Sequence, residues 1–307
     1  MKTKRDLSEL DPAEVRRAAE RAAPSYDAAA VLHREVGRRM AERLALIRLQ
    51  PKTILDAGCG TGEALGELRT RYPEAAIVAL DFAFAMAGAA KRRASALKVV
   101  RTGMLGKLLG SRPGGGETQV LCADAGRLPL APASVDLVWS NLLLQWIGEP
   151  AVVFAEFLRV LRVGGLLLFT SFGPDTLKEL RSAFASVDRA PHVSRFIDMH
   201  DVGDALVATG FADPVMDAET ITLTYGEGVA LLRDLKAVGG HNAALGRARG
   251  LMGRQRWGRM LDALDLFRRD GRLPATYEVI YGHAWKPEPR FAADGRAIVR
   301  FERSDKR

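Results

Sequence analysis

Apolar residues recur at helical spacing over 25–49, at Val31, Leu32, Val36, Met40, Leu44 and Ile47. They predict a helix that ends before Pro51. Beyond it, short apolar runs alternate with amphipathic stretches. TILDA (53–57) enters a glycine cluster, and a helical pattern follows. AAIVALD (75–81) predicts a second strand, with a helix through about Arg93. VLCAD (120–124), SVDLVWSN (134–141) and GGLLLFTSF (164–172) predict three more, with a helix over 150–161 before the last. Strands alternating with helices imply parallel β-α-β units and a doubly wound α/β sheet. Ligands bind such a sheet beyond the carboxyl ends of its strands.

The segment 93–119 interrupts this rhythm and ends in SRPGGGET, a loop by composition. After Phe172, helical spacing resumes at Leu177, Leu180 and Phe184, with Asp175 as its expected N-cap. A helix over 199–209 stops at Gly210, and a strand is expected over 214–225. Helices over 228–238 and 254–269 precede a last strand over 276–285. Residues 286–307 read as a charged tail whose only strand-like run is AIVRF. No internal repeat is visible.

The chain is 48% hydrophobic and 27% charged, the balance of a globular protein. Its two cysteines, Cys59 and Cys122, exclude a disulfide scaffold and a four-cysteine zinc site. They suit a reducing, cytoplasmic location. No apolar run reaches the ~18 residues that suggest a membrane span, and the amino terminus lacks the apolar core of a secretory signal. The net charge of +8 is concentrated. Lys91, Arg92, Arg93, Lys98, Arg101, Lys107 and Arg112 face one acid, Glu117, within 91–118. Five arginines (247, 249, 254, 256, 259) fall within 247–259 with no acid. These stretches fit either solvated faces or an electropositive surface for an acidic partner. The first has no aromatic residue and the second only Trp257, which weighs against nucleic acid.

Asp56-Ala57-Gly58-Cys59-Gly60-Thr61-Gly62 sits between a strand and a helix. Alternate glycines let the backbone turn sharply and approach a ligand. The spacing G-x-G-x-G departs from the dinucleotide fingerprint, and no Gly-Lys-Ser/Thr follows as in a phosphate-binding P-loop. With its leading acid, the motif resembles motif I of the class I S-adenosylmethionine-dependent methyltransferases. Asp81 ends the second strand, where a carboxylate can accept two ribose hydroxyls. Asp124 ends the third, followed by Ala125. In the methyltransferases that position meets adenine. Phe82 and Met86 fit either an adenine wall or plain core. Cys59 has no histidine near it in sequence and reads as a small filler beside the ligand.

The resemblance extends further. Ser140-Asn141-Leu142 and Gln145-Trp146 follow the fourth strand. SYDAAAVLHREV, FTSFGPDTLKEL, APHVSRFIDMHDVGDAL, LLRDLKAVGGHN and LPATYEVIYGHAW follow the pattern of the BioC family. These are the malonyl-acyl-carrier-protein O-methyltransferases of biotin synthesis. The likeness runs from Ser25 to Pro287, apart from a longer 93–119 insertion. It implies a Rossmann-like class I methyltransferase domain over 51–285, preceded by a helical lid over 1–50. Acceptor-side helices would lie within 173–270. It also implies S-adenosylmethionine as cofactor and acyl carrier protein, an acidic molecule, as partner, with no metal, nucleic acid or membrane involved.

On this resemblance Tyr26, Asp56, Gly58, Cys59, Gly60, Gly62, Asp81, Phe82, Met86, Asp124, Ala125 and Asn141 would hold the cofactor. Asn141, Gln145 and Trp146 would orient the acceptor. His192, Arg195, Lys236 and Tyr277 would join them in binding the substrate. Tyr26 fits a helix staple equally well, and Trp146 and Tyr277 fit plain core. The acceptor would be a free carboxylate, already ionised near neutral pH, so no general base is needed. A second family, resembling the mitochondrial complex I assembly arginine hydroxylase, shares an FGGDTL-type segment and an ATY-type strand. SNLLLQW and VIYGHAW match it less well. Another small-molecule methyltransferase and a non-catalytic RNA-binding protein are the remaining alternatives.

Overall fold

Hydrophobic residues on both faces of the central strands dictate a sheet covered on each side by helices. The computed structural model describes residues 10–102, 116–248 and 250–289. The strands are β1 (Thr53–Ala57), β2 (Ala76–Asp81), β3 (Thr118–Cys122), β4 (Val135–Ser140), β5 (Leu161–Phe172), β6 (Ala212–Tyr225) and β7 (Leu273–Trp285). They form one sheet in the order β3-β2-β1-β4-β5-β7-β6. All neighbours are parallel except β7, which runs antiparallel to β5 and β6. Adjacent residues of β1 serve opposite faces. Ile54 packs with Met40 and Leu44 of α3 (Val31–Ala45) and Leu68 of α4 (Leu65–Arg71). Leu55 packs with Phe154 and Phe157 of α6 (Pro150–Val160). The strand order reverses between β1 and β4, and this switch point opens the crevice in which the site lies.

The predicted helix over 25–49 is two: α2 (Tyr26–Ala29) and α3, separated at Ala30, with α3 ending at Ala45. A helix before them, α1 (Pro12–Ala22), has the N-cap Asp11 and Pro12 in its first turn. Its Glu20 accepts the backbone N–H groups of Phe84 (2.6 Å) and Ala85 (2.8 Å). That carboxylate caps α5 (Phe84–Thr102) from another element and anchors the amino-terminal segment over the sheet edge. The expected stop near Arg93 is therefore corrected, because α5 continues for nine more residues to Thr102.

Asp175 is not a helix cap. Its N–H donates to Glu278 (2.8 Å) and its carboxylate pairs with Lys178. Helix α7 (Lys178–Ala185) starts after Leu177, whose left-handed backbone (φ 54°) turns the chain. Helix α8 (Met199–Thr209) ends at Gly210 as expected (φ 105°). It is followed by α9 (Gly228–Ala237) and α10 (Arg254–Asp265). The latter stops short of 269, where the Arg269–Arg272 bridge reverses the chain. The expected strand AIVRF and most of 93–119 beyond α5 lie outside the described residues. Among the described residues, no helix is long and apolar enough to cross a membrane.

Candidate active site

A cavity of about 340 Å³ lies at the switch point. Its floor is the glycine turn after β1. Gly58, Gly60 and Gly62 have φ of 72°, 53° and 82°, a region that disfavours side chains. Gly58 and Gly60 line the cavity, and a Cβ on Gly60 would lie 3.8 Å from the Tyr26 ring. Gly62 does not line it. A Cβ there would meet Leu65 at 2.9 Å and Ala90 at 3.1 Å, so Gly62 lets α4 pack against α5. Cys59 is buried beside the turn, and burial pushes its thiol pKa well up, as expected of a filler. Asp56 lies beneath the floor with Oδ2 buried and unpartnered among the described residues. Burial, then the charge of Asp81, pushes its carboxyl up to about 7.

Asp81 faces the cavity from the end of β2. Its Oδ2 accepts the Gly60 N–H at 3.0 Å and its Oδ1 the Ala83 N–H at 2.8 Å. Burial raises this carboxyl to about 6 despite these backbone donors. Its remaining lone-pair capacity is free for ligand hydroxyls. Phe82, Met86, Asp124, Ala125 and Asn141 also line the cavity. Asp124 spends one oxygen on the Gly126 N–H (2.8 Å). Asn141 accepts the Thr170 hydroxyl (2.7 Å) and donates to the His33 carbonyl (3.0 Å), which fixes α3 against the end of β4.

Helix α2 is tied down over the glycine turn. Asp27 accepts the Thr61 hydroxyl at 2.5 Å and the Arg93 guanidinium at 2.8 Å. Arg93 also donates to the Thr61 carbonyl and pairs with Glu63. Arg93 is thus part of the site's scaffold and not of a free basic face.

A second cavity of about 140 Å³ adjoins the first. His33, Trp146 and Val238 line both. Gln145, His192 and Tyr277 line the second only. Gln145 Nε2 donates to the Leu142 carbonyl (2.6 Å), while its Oε1 is buried without a partner among the described residues. His192 stacks on Phe184 (4.0 Å between centroids) and bonds Asp188 through Nε2 (2.8 Å). Tyr277 bonds Tyr225, which in turn bonds Asp234. Burial raises the Tyr277 hydroxyl strongly and takes Tyr225 up to about 12. Arg195 and Lys236 are exposed and line neither cavity.

The family model described as a methyltransferase domain matches residues 55–169, the span from β1 through most of β5. The chain is 57% identical to the malonyl-[acyl-carrier protein] O-methyltransferase of Laribacter hongkongensis over 294 residues, 95% of this chain and 96% of that protein. It is 51% identical to the protein of the same name from Gallionella capsiferriformans, with the same coverage. The chain belongs to this O-methyltransferase family. A solved structure of a candidate methyltransferase from Bacillus halodurans superposes with a TM-score of 0.54 at 15% identity. That match covers 81% of this chain and 97% of the other and reflects the shared fold.

As an O-methyltransferase of this family, the enzyme uses S-adenosylmethionine, and the first cavity fits it. Gly58 and Gly60 leave a cradle that side chains would fill. Asp81 offers acceptors for a ribose diol, and Phe82 and Met86 offer apolar walls. The arginine-hydroxylase alternative is not favoured by these full-length relatives. Sequence reasoning passed over His33, although in the single helix expected over 25–49 Tyr26 and His33 would lie seven residues apart, two turns on one face. Their rings lie 5.4 Å apart between centroids. Within the helical segment expected over 1–50 it set no bounds for α1, whose Val15 and Ala19 line the first cavity.

Proposed function

We propose that the chain transfers the methyl group of S-adenosylmethionine to the free carboxylate of a malonyl thioester on acyl carrier protein. The product is a methyl ester that serves biotin synthesis. The observation that carries this reading is the near-full-length identity to relatives named for that activity. Two adjoining cavities, one for donor and one for acceptor, support it.

When bound, S-adenosylmethionine supplies an electrophilic methyl on a positively charged sulfur. A carboxylate oxygen takes that methyl while the electron pair of the C–S bond stays on sulfur, and no proton moves. The residues need only bind, align and exclude water. Tyr26, Gly58, Gly60, Asp81, Phe82, Met86, Asp124 and Ala125 would hold the donor. Asn141 fixes α3 beside it, and Gln145, Trp146 and Tyr277 would shape the acceptor space. Asp56, Cys59 and Gly62 would support the glycine turn from below.

The carrier protein would dock on α10. Arg254, Arg256 and Arg259 are exposed there beside Trp257 and make no ion pair among the described residues. Arg247, by contrast, is spent on Asp11 and Glu14. Helix α10 packs on α7, whose Leu180 lines the second cavity, which supports a carrier bound near the acceptor space. An acidic partner would be steered there. In a strain lacking this methyl-transfer step, the gene should restore growth without biotin. Failure to do so with the protein expressed contradicts the reading.

A further inference from the structure

The acceptor carboxylate must reach the boundary of the two cavities carrying a full negative charge. Neither cavity is lined by a lysine or an arginine among the described residues. A charge moved out of water needs hydrogen-bond donors at its destination. His33 stands at that boundary on α3, its ring 5.4 Å from that of Tyr26, and with Trp146 and Val238 it lines both cavities. Its Nδ1 is buried and has no partner among the described residues. The titratable side chains lining the cavities are Tyr26, Asp81, Asp124 and Glu149 in the first, and His192, His241, Asp234, Tyr225 and Tyr277 in the second. Burial, then the neighbouring Arg34, lowers His33 to about 4, so the ring is neutral with one N–H to give.

We propose that the second cavity receives the malonyl arm and that His33 orients the acceptor by donating a hydrogen bond to its carboxylate at the junction. This rests on the function proposed above. One carboxylate oxygen accepts from the imidazole while the other is left facing the first cavity. The new O–CH3 bond forms there, the C–S bond breaks with its electron pair kept by sulfur, and the imidazole keeps its proton throughout. A neutral donor suits this task better than an arginine. A bidentate guanidinium pair would stabilise the ground-state carboxylate and blunt the oxygen that has to attack. The positive charge that the carboxylate meets is the sulfonium itself.

His33→Leu and His33→Gln test this with the full chain. His33→Leu should lose roughly ten- to a hundredfold in kcat/KM for malonyl-acyl carrier protein, the worth of one hydrogen bond to a charged group. Its calorimetric affinity for S-adenosylhomocysteine should fall far less than kcat/KM, since His33 lines the edge of the donor cavity and makes none of the hydrogen bonds of the glycine turn or of Asp81. His33→Gln, which keeps an N–H donor, should recover most of the activity. Equal loss in both folded variants, or a matching fall in S-adenosylhomocysteine binding, overturns the role. A second readout needs no turnover. In protein carrying 15N-histidine, saturated with S-adenosylhomocysteine, malonyl-coenzyme A should shift one imidazole that is absent in His33→Gln. No such shift overturns the inference. A parent enzyme that binds malonyl-coenzyme A with that shift yet makes no ester would instead overturn the proposed activity.

Discussion

Asp81 Oδ2 accepts the backbone N–H of Gly60 at 3.0 Å, so the acid that ends β2 also holds the glycine turn that follows β1. One carboxylate thereby sets the shape of the floor and presents its remaining lone pairs to the cavity. Asp81→Asn replaces one acceptor oxygen with an N–H donor facing Gly60 or the ligand. S-adenosylhomocysteine affinity, measured by calorimetry, should fall roughly ten- to a hundredfold. Unchanged affinity would place the donor elsewhere.

The glycines of the turn should separate by measurement. Gly62→Ala puts a Cβ within 3.1 Å of Ala90 at a φ of 82° and faces no cavity. It should cost stability, on the order of 1–3 kcal/mol by denaturant unfolding. Gly60→Ala meets only the Tyr26 ring, at 3.8 Å, and should cost donor affinity more than stability.

These contrasts show what the sequence could and could not tell. The strands of the parallel half were legible because their apolar runs, Thr53–Ala57 and Ala76–Asp81 among them, are bounded by turn residues. The three acids were legible because the carboxyl end of a parallel strand is a fixed place in such a sheet. The bounds of helix α1 were not. That helix buries small residues such as Ala18 and Ala22, which leave a faint periodic signal, and Glu20 works on an element about sixty residues away. Arg93 counted as surplus charge in the sequence, and only the fold brings Asp27 and Thr61 to it. His33 escaped notice for the same reason, since its meaning lies in the meeting of two cavities.

Asp56 should leave a mark on stability against pH. The folded state holds its proton up to about 7, against an ordinary value of 3.8. The folded chain therefore keeps a proton that the unfolded chain has released, and stability is lost as pH rises through that window. Asp56→Asn escapes this loss. Its unfolding free energy relative to the parent should rise from pH 4 to pH 7 by about 1.4 kcal/mol for each tenfold fall in proton concentration, and level off above. A difference that does not change with pH would mean Asp56 is ionised in the fold.

Charge reversal on α10 should act on the partner alone. Arg254→Glu with Arg256→Glu should raise KM for the carrier-bound substrate about tenfold at low salt, less as ionic strength rises. KM for malonyl-coenzyme A should change far less, and S-adenosylhomocysteine binding not at all. An equal fall in all three affinities would make these arginines structural.

The central claim is methyl transfer to the free carboxylate of a malonyl thioester. Purified protein should be incubated with S-adenosylmethionine and malonyl-acyl carrier protein, and the carrier analysed by mass spectrometry. The account predicts a methyl ester on the malonyl group with one S-adenosylhomocysteine formed for each ester. Normal binding of S-adenosylhomocysteine with no ester on the carrier would contradict it.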